Sequence, residues 1–176
     1  PYRSQLPETV FENGFKVSRT DGSGRIRREL RRALKLLKVA GWSLKEGKLR
    51  DSKGQQMTVE ILLVQPDFER LLSPYIDNLK RAGIAASMRI VDTSQYENRT
   101  NDFDFDMVNV KFNFFPPPGP ELRSYYGSKA STKIGSANWP GIRSPVVDEL
   151  VEKIISAEDL ETLKRHTRAL DRVLLS

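Results

Sequence analysis

Three aspartates at alternating positions, Asp102, Asp104 and Asp106, have the spacing of the first ligands in a calcium-binding EF-hand loop. Such a loop also needs a glycine at its sixth position, for the sharp turn, and a bidentate glutamate at its twelfth. Those positions hold Met107 and Asn113 in this chain. The sequence therefore argues against a calcium site of this kind.

Catalytic or metal chemistry would have to use the single histidine, His166, which lies between Arg165 and Arg168 in a chain without cysteine. A metal site needs further ligands, and a hydrolytic triad needs a nucleophile, a base and an orienting group. No such set lies near His166 in the sequence. We therefore expect a surface histidine, no cofactor and no enzymatic activity.

Phosphate binding is the third possibility, because residues 1–54 hold 14 Lys or Arg against 6 Asp or Glu. Seven of these basic residues lie in Arg25–Lys38, where apolar residues recur with the spacing of an amphipathic helix that ends near Gly41. The helix could bind nucleic acid, but no aromatic residue accompanies its charges, which favours a solvated outer face. Ser23 is expected to cap it, since no phosphate-loop motif follows Gly22–Gly24.

A ligand-binding loop is indicated where the strand-like segment FDFDMVNVKFNFF at 103–115 meets the proline-rich stretch 116–120. Proline fixes φ and confines the residue before it, so little entropy is lost in holding the loop. Aromatic faces beside Asn and Lys groups provide the mixture of contacts that ligand sites use. Phe112 and Phe114 fit either a groove wall or the core, whereas Trp139, in a polar loop, has no periodic core role.

The elements that must position this loop alternate between helix and strand. In chain order, the patterns first predict a helix at 25–38, a hairpin or turn at 42–56, a strand at 57–64, a helix at 66–82 capped by Gly83, a strand at 84–91, a short helix or turn at 93–100 and a strand at 105–111. They then predict a short helix at 121–126, a long polar loop at 127–145 that is either functional or mobile, and helices at 146–155 and 159–175. This order predicts an α/β fold with a mainly parallel sheet flanked by helices, as one lobe over residues 1–176.

Composition agrees with a single domain of ordinary size: 176 residues, 38% hydrophobic, with a formal net charge of +6. The longest apolar run, Ile61–Val64, is far shorter than the ~20 residues that span a bilayer. The absence of cysteine excludes a disulfide framework and leaves the compartment open.

The order and spacing of several short motifs resemble the C-terminal lobe of the family 5 extracellular solute-binding proteins, the oligopeptide and dipeptide receptors of ABC importers. The motifs are PYRSQLPETVF, LLKVAGW, MTVEILLVQ, NLKRAGI, RIVD, QYENR, FDFDM and WPGIRSPVVDEL. The first and last of them are most similar to the Yej-type branch, whose members receive peptides and peptide-like compounds.

The resemblance implies a type II periplasmic binding protein lobe that binds a peptide or peptide-like solute in a cleft shared with an N-terminal lobe. It also implies a signal peptide outside this sequence, a periplasmic or extracellular location and a membrane permease as partner. Binding without catalysis is then the expected function, and a basic nucleic-acid-binding domain that uses the helix at 25–38 is the alternative.

The resemblance also places the ligand groove, because an aromatic residue lines it just after the FDFDM strand, where Phe112 stands here. The family aspartate that receives the peptide amino terminus has no carboxylate counterpart at 113–116, so that role cannot be carried over. The residues predicted to contact the ligand, on one side of the lobe, are Asn109, Lys111, Phe112, Asn113, Phe115, Asn138 and Trp139. No metal ligand and no catalytic residue is predicted.

Overall fold

The structure, a computed structural model, describes residues 2–12, 19–112 and 116–175. These residues form two compact units. The sheet unit comprises the described residues within 18–100 and 104–111, and the helical unit comprises those within 1–17, 101–103 and 112–176. The prediction of a single lobe over the whole sequence stays a prediction.

The sheet unit contains the alternating helices and strands that the sequence patterns predict. In chain order they are α1 (Arg27–Val39), β1 (Ser43–Lys45), β2 (Lys48–Arg50), β3 (Thr58–Leu63), α2 (Asp67–Arg81), β4 (Ala85–Ile90), α3 (Thr93–Asn101, whose last residue is grouped with the helical unit) and β5 (Met107–Val108). Strands β1 and β2 form an antiparallel hairpin. Strands β4, β3 and β5 form a sheet in that order with every pair parallel, which confirms the predicted α/β class.

The core of the sheet unit lies between this sheet and the helices. Its buried residues are Leu49, Ile61, Leu63, Ile76, Ala82, Ile84 and Ala86. Leu30, Leu34 and Leu37 of α1 pack against it, so one face of the basic helix is turned inward. Burial of these apolar side chains is the main force that holds an amphipathic helix on a sheet.

Strand β5 is shorter than the predicted strand at 105–111. At both of its ends, hydrogen bonds from side chains take the place of backbone–backbone hydrogen bonds between strands. The Asp106 carboxylate accepts the backbone N–H of Glu60 at 2.9 Å, where a strand carbonyl would otherwise accept it. Beyond Val108, the Tyr96 hydroxyl donates to the backbone carbonyl of Asn109 at 2.7 Å. Only Met107 and Val108 are therefore paired with β3.

Helix ends follow the predicted glycines but not the predicted serine cap. Gly41 and Gly83 have φ of +91° and +85° directly after α1 and α2, as helix-terminating glycines do. A Cβ at Gly83 would lie 2.7 Å from the backbone nitrogen of Leu49, so the position has no room for a side chain. The prediction for Ser23 is wrong, because its hydroxyl accepts from the N–H of Arg25 and α1 begins later, after Ile26.

The helical unit contains α4 (Leu122–Tyr126), α5 (Pro145–Ile155) and α6 (Leu160–Leu174), with short 3-10 turns at Glu8–Val10 and Ser128–Ala130. Its buried core is Leu122, Val146, Val147, Leu150, Val151, Ile154 and Leu170. Asp159 begins α6 by accepting the N–H of Thr162 at 2.8 Å. That hydrogen bond and one from the Thr162 hydroxyl lower the pKa of the Asp159 carboxyl.

His166 is half-buried in α6, where its Nδ1 lies 3.1 Å from the Lys153 carbonyl of α5. The predicted surface histidine is thus partly exposed, with one side of the imidazole covered by α5. Among the described residues, no helix combines the length and hydrophobicity that crossing a bilayer requires.

Candidate functional site

Four aromatic side chains of the helical unit form the aromatic cluster: Phe112, Tyr125, Tyr126 and Trp139. The Phe112 ring centroid lies 5.0 Å from that of Tyr125, in an edge-to-face arrangement, and 5.6 Å from that of Trp139. Tyr126 is 6.2 Å from Phe112. All four are half-buried, so the cluster presents aromatic surface outward while its rings support one another.

Asn138 holds the backbone that carries Trp139. Its amide nitrogen donates to the carbonyls of Gly127 and Ile142, at 3.0 and 2.9 Å, and its amide oxygen accepts the N–H of Ile142 at 2.9 Å. One side chain thus satisfies three backbone groups across the loop 127–145. An amide can do this because it offers two donors and an acceptor on a planar group.

Serine and aspartate side chains fix the same loop at its base. Ser128 accepts the N–H of Ser144 through its hydroxyl at 3.0 Å, and its own N–H donates to the Asp148 carboxylate at 2.7 Å. The Arg143 guanidinium donates to the Ser131 hydroxyl at 2.8 Å. The long polar loop therefore has a defined conformation that positions Trp139 against Phe112.

Ligand contact by Asn138 stays a prediction, and the structure places its side chain inside the loop. Its side chain has 0% exposure, and the hydrogen bonds within the loop occupy its amide. Ligand contact would require these bonds to break and leave buried backbone groups without partners. Asn138 supports the site from inside the loop.

A cavity of about 380 Å³ adjoins the cluster at Tyr126. Apolar side chains and prolines make most of its wall, with the hydroxyl-bearing Thr167 and the carboxylate of Asp171 among them. The lining residues are Pro116, Pro118, Leu122, Tyr126, Ile154, Thr167, Leu170, Asp171 and Leu174. Within the described part of the chain, Thr167 Oγ1 is the buried side-chain polar atom without a hydrogen-bond partner. It is therefore available to a ligand in the cavity.

The hydroxyl of Tyr126 has a perturbed ionisation. Burial raises its pKa, and the neighbouring Tyr125 and the negative charge of Asp171 raise it further. Tyr126 therefore stays protonated and can act as a hydrogen-bond donor across the ordinary pH range.

The other predicted contact residues are distributed over both units. Phe112 and Trp139 are brought together in the helical unit, whereas Asn109 and Lys111 belong to the sheet unit. Asn109 is half-buried and Lys111 is exposed, and both stay predictions as ligand contacts. Asn113 and Phe115 lie outside the described residues, as does Phe114.

Sequence reasoning missed Tyr125, Tyr126, Thr167 and Asp171. The adjacent tyrosines, only a few residues after the proline-rich stretch, were a usable signal. Thr167 and Asp171 gave none, because on one helix they resemble ordinary surface residues, and only the fold brings them into one cavity with α4 and the prolines.

Two of the three aspartates with calcium-like spacing make contacts within the sheet unit. Asp104 pairs with Arg99 at 2.9 Å, and Asp106 accepts from Glu60 as described above. No group of three or more potential metal ligands occurs in residues 2–12, 19–112 and 116–175.

Comparison with known proteins identifies the family. Residues 5–133 match the profile described as "Bacterial extracellular solute-binding proteins, family 5 Middle". The chain belongs to this family. Since that match covers most of the sequence, the resemblance inferred from short motifs is confirmed.

Curated relatives match nearly the whole chain. The "Probable peptide-binding protein YejA" of Agrobacterium fabrum is 39% identical over 99% of this chain and 28% of its own length. The "Peptidoglycan-binding protein YepA" of the same organism is 33% identical over 97% of this chain and 28% of its own length. The chain thus spans little more than a quarter of these relatives.

A solved structure supports the fold. The periplasmic oligopeptide-binding protein of Thermotoga maritima with bound mannohexaose superposes with a TM-score of 0.75, at 20% identity, over 96% of this chain and 31% of the other. The chain therefore has the fold of part of a periplasmic binding protein.

Proposed function

We propose that this chain forms one side of the ligand cleft in the substrate-binding component of an ABC importer, which receives peptides or peptide-like solutes. The observation that carries the proposal is the aromatic cluster, built around Phe112 directly after the last strand segment of a family 5 chain. In this proposal the receptor is located in the periplasm or outside the cell. It binds the solute without catalysis and delivers it to a membrane permease. The rest of the longer polypeptide supplies the opposite side of the cleft.

The chemistry of the cluster suits a peptide. Half-exposed aromatic faces pack against apolar side chains and flat amide groups, and their rigid rings lose little entropy when a ligand arrives. The adjoining cavity is large enough for an apolar side chain. Inside it, the Thr167 and Tyr126 hydroxyls and the Asp171 carboxylate offer partners for polar groups of the ligand. A site of this kind combines apolar walls with a few placed polar groups.

The relative YepA is named a peptidoglycan-binding protein, which supports a solute class that extends beyond simple peptides. Peptides attached to a sugar would also find stacking partners among Phe112, Tyr125 and Trp139. The absence of a carboxylate at 113–116 means that this segment does not capture a free amino terminus as it does in other family members. Peptide-like solutes without that group therefore remain within the proposed class.

Nucleic-acid binding by α1 is the less favoured function. Its basic residues are exposed, but the helix carries no aromatic side chain for base stacking. Relatives over nearly the full chain are named as binding proteins for peptides and peptidoglycan.

The two tryptophans allow a direct test. Trp139 lies in the aromatic cluster, whereas Trp42 packs against the core of the sheet unit. In a titration of the 176-residue chain with trileucine, followed by NMR of the indole N–H groups, we expect the Trp139 signal to shift and the Trp42 signal to stay. Equal shifts of both signals, or no shift of Trp139 at millimolar peptide, would contradict the proposed site.

Two variants separate binding from general damage. Phe112→Ala removes the ring that contacts all three partners of the cluster and should weaken the peptide-induced shift several-fold. Tyr75→Ala removes a more exposed aromatic ring from the sheet unit and should leave the shift unchanged.

A further inference from the structure

The outer face of α1 is strongly cationic. Six of its thirteen residues are basic and exposed: Arg27, Arg28, Arg31, Arg32, Lys35 and Lys38. Only Arg28 forms a salt bridge within the described residues, with Glu29, the single acidic residue of the helix. The other five cations have no carboxylate within salt-bridge distance among those residues. This concentration of unpaired charge is available to a partner outside the chain.

Two aliphatic side chains lie within the cationic face. Leu36 is 61% exposed and Val39 is 82% exposed. Counted along the helix, Arg32, Leu36 and Val39 follow the i, i+4, i+7 spacing that places them on one side. The opposite side is already occupied, because the apolar stripe of α1 packs on the core of the sheet unit. The exposed aliphatic residues therefore do not contribute to the core of the sheet unit.

We propose that the outer face of α1 binds the surface of an anionic lipid bilayer. Its cations would lie against phosphate head groups, and Leu36 and Val39 would enter the boundary between head groups and acyl chains. Membrane-surface binding is strengthened both by burial of apolar area and by electrostatic attraction to anionic lipids, and this face offers a source of each. Each Lys or Arg near an anionic leaflet adds to the attraction.

A membrane accounts for both the exposed cations and the exposed aliphatic side chains of this face, whereas nucleic acid accounts for the cations alone. Phosphates of DNA or RNA would attract the same cations. They would leave Leu36 and Val39 without an apolar phase to enter, and α1 has no aromatic residue to stack on bases. In an exported receptor, as proposed above, such binding would keep the protein close to the membrane that holds its permease.

The test is co-sedimentation of the 176-residue chain with phosphatidylcholine vesicles that contain or lack phosphatidylglycerol. We expect binding to the anionic vesicles alone, several-fold weaker at about 0.15 M salt than at low salt, because surface charges are then screened. Equal binding to both kinds of vesicle, or none to either at low salt, would overturn the proposal.

Charge variants show whether the face or the net charge is responsible. The triple change Arg28→Gln, Arg32→Gln, Lys35→Gln should reduce anionic-vesicle binding at least tenfold. The matched control Lys53→Gln, Arg70→Gln, Lys80→Gln removes three exposed charges elsewhere in the sheet unit and should change binding less than twofold. An equal loss in both variants would mean that net charge alone drives association, and the assignment to α1 would be wrong.

A third variant separates lipid from nucleic acid. Val39→Ser together with Leu36→Ser should weaken vesicle binding several-fold and leave binding to duplex DNA unchanged, because only the bilayer offers an apolar phase. If the double serine variant binds vesicles as well as the parent chain, the aliphatic contact is excluded. If the parent chain binds duplex DNA more tightly than anionic vesicles, nucleic-acid binding by α1 replaces membrane binding as the explanation of this face.

Discussion

At the residue scale, two neighbouring residues of the candidate site occupy different environments, which their positions in the sequence do not distinguish. Asn138 and Trp139 are neighbours in a polar loop, and both were predicted to face a ligand. The structure places the Trp139 ring in the aromatic cluster and the Asn138 amide inside the loop, where three backbone groups use it. A polar residue in a loop can equally be a hydrogen-bonding support, because buried backbone groups need partners.

Replacing Asn138 tests this support. Asn138→Ala would leave the carbonyl of Gly127 and both backbone groups of Ile142 without these partners, and each unpaired buried group costs about 1–3 kcal/mol. We expect the free energy of unfolding to fall by roughly 3 kcal/mol or more, measured by urea unfolding with circular dichroism. Asn98→Ala, at an exposed helix position, should change it by no more than about 0.5 kcal/mol. Similar losses in the two variants would refute the supporting role.

At the scale of elements, α1 shows how one helix can serve both core and surface. Its inward stripe and its outward cations follow from a single periodic pattern, which the sequence displays. Strand β5 behaves differently, since its length is set by the Asp106 and Tyr96 side chains that take over backbone partners at its ends. Periodicity predicts where a strand lies and does not predict which side chains end it.

Two leucines of α1 distinguish its faces. Leu34 packs on the core of the sheet unit, whereas Leu36 is exposed. Since Leu34 is partly buried, Leu34→Ala should cost about 2 kcal/mol, near the lower end of the range for buried leucines. Leu36→Ala should lie within about 0.5 kcal/mol of the parent chain. Thermal or urea unfolding of both variants provides the measurement, and a larger loss for Leu36→Ala would place the wrong face on the core.

At the scale of the whole molecule, this chain corresponds to only part of each longer relative. The chain spans 28% of the length of YejA and of YepA, and 31% of the Thermotoga structure. In the proposed arrangement, the cleft is shared with the remaining polypeptide and this chain makes only part of the contacts to a solute. We therefore expect its own affinity to be far below that of a complete receptor.

Calorimetry can measure that deficit. Binding must first offset roughly 4 kcal/mol or more for the lost freedom of the ligand, whichever part of the cleft is present. We expect trileucine and similar peptides to bind the 176-residue chain with a dissociation constant well above micromolar. A polypeptide with the length of the relatives should bind its solute far more tightly. A sub-micromolar constant for the isolated chain would show that one side of the cleft suffices.

The sequence by itself determined the family, the order of helices and strands, the parallel sheet and the two faces of α1. The family was indicated by a resemblance in the order of short motifs. The elements and the faces of α1 follow from local spacing, which fixes the side of a helix or strand on which a residue lies. The sequence also pointed to Trp139, because a tryptophan in a polar loop has no periodic role in a core, and the family resemblance pointed to Phe112.

Only the tertiary structure decided the rest of the site. The contact between Phe112 and Trp139, the cavity beside Tyr126 and the buried amide of Asn138 all join residues that are distant in the chain. Thr167 and Asp171 became candidates because α4 and the prolines close over α6 there. Burial and hydrogen-bond partners depend on which segments meet in space, and local spacing carries no information about that.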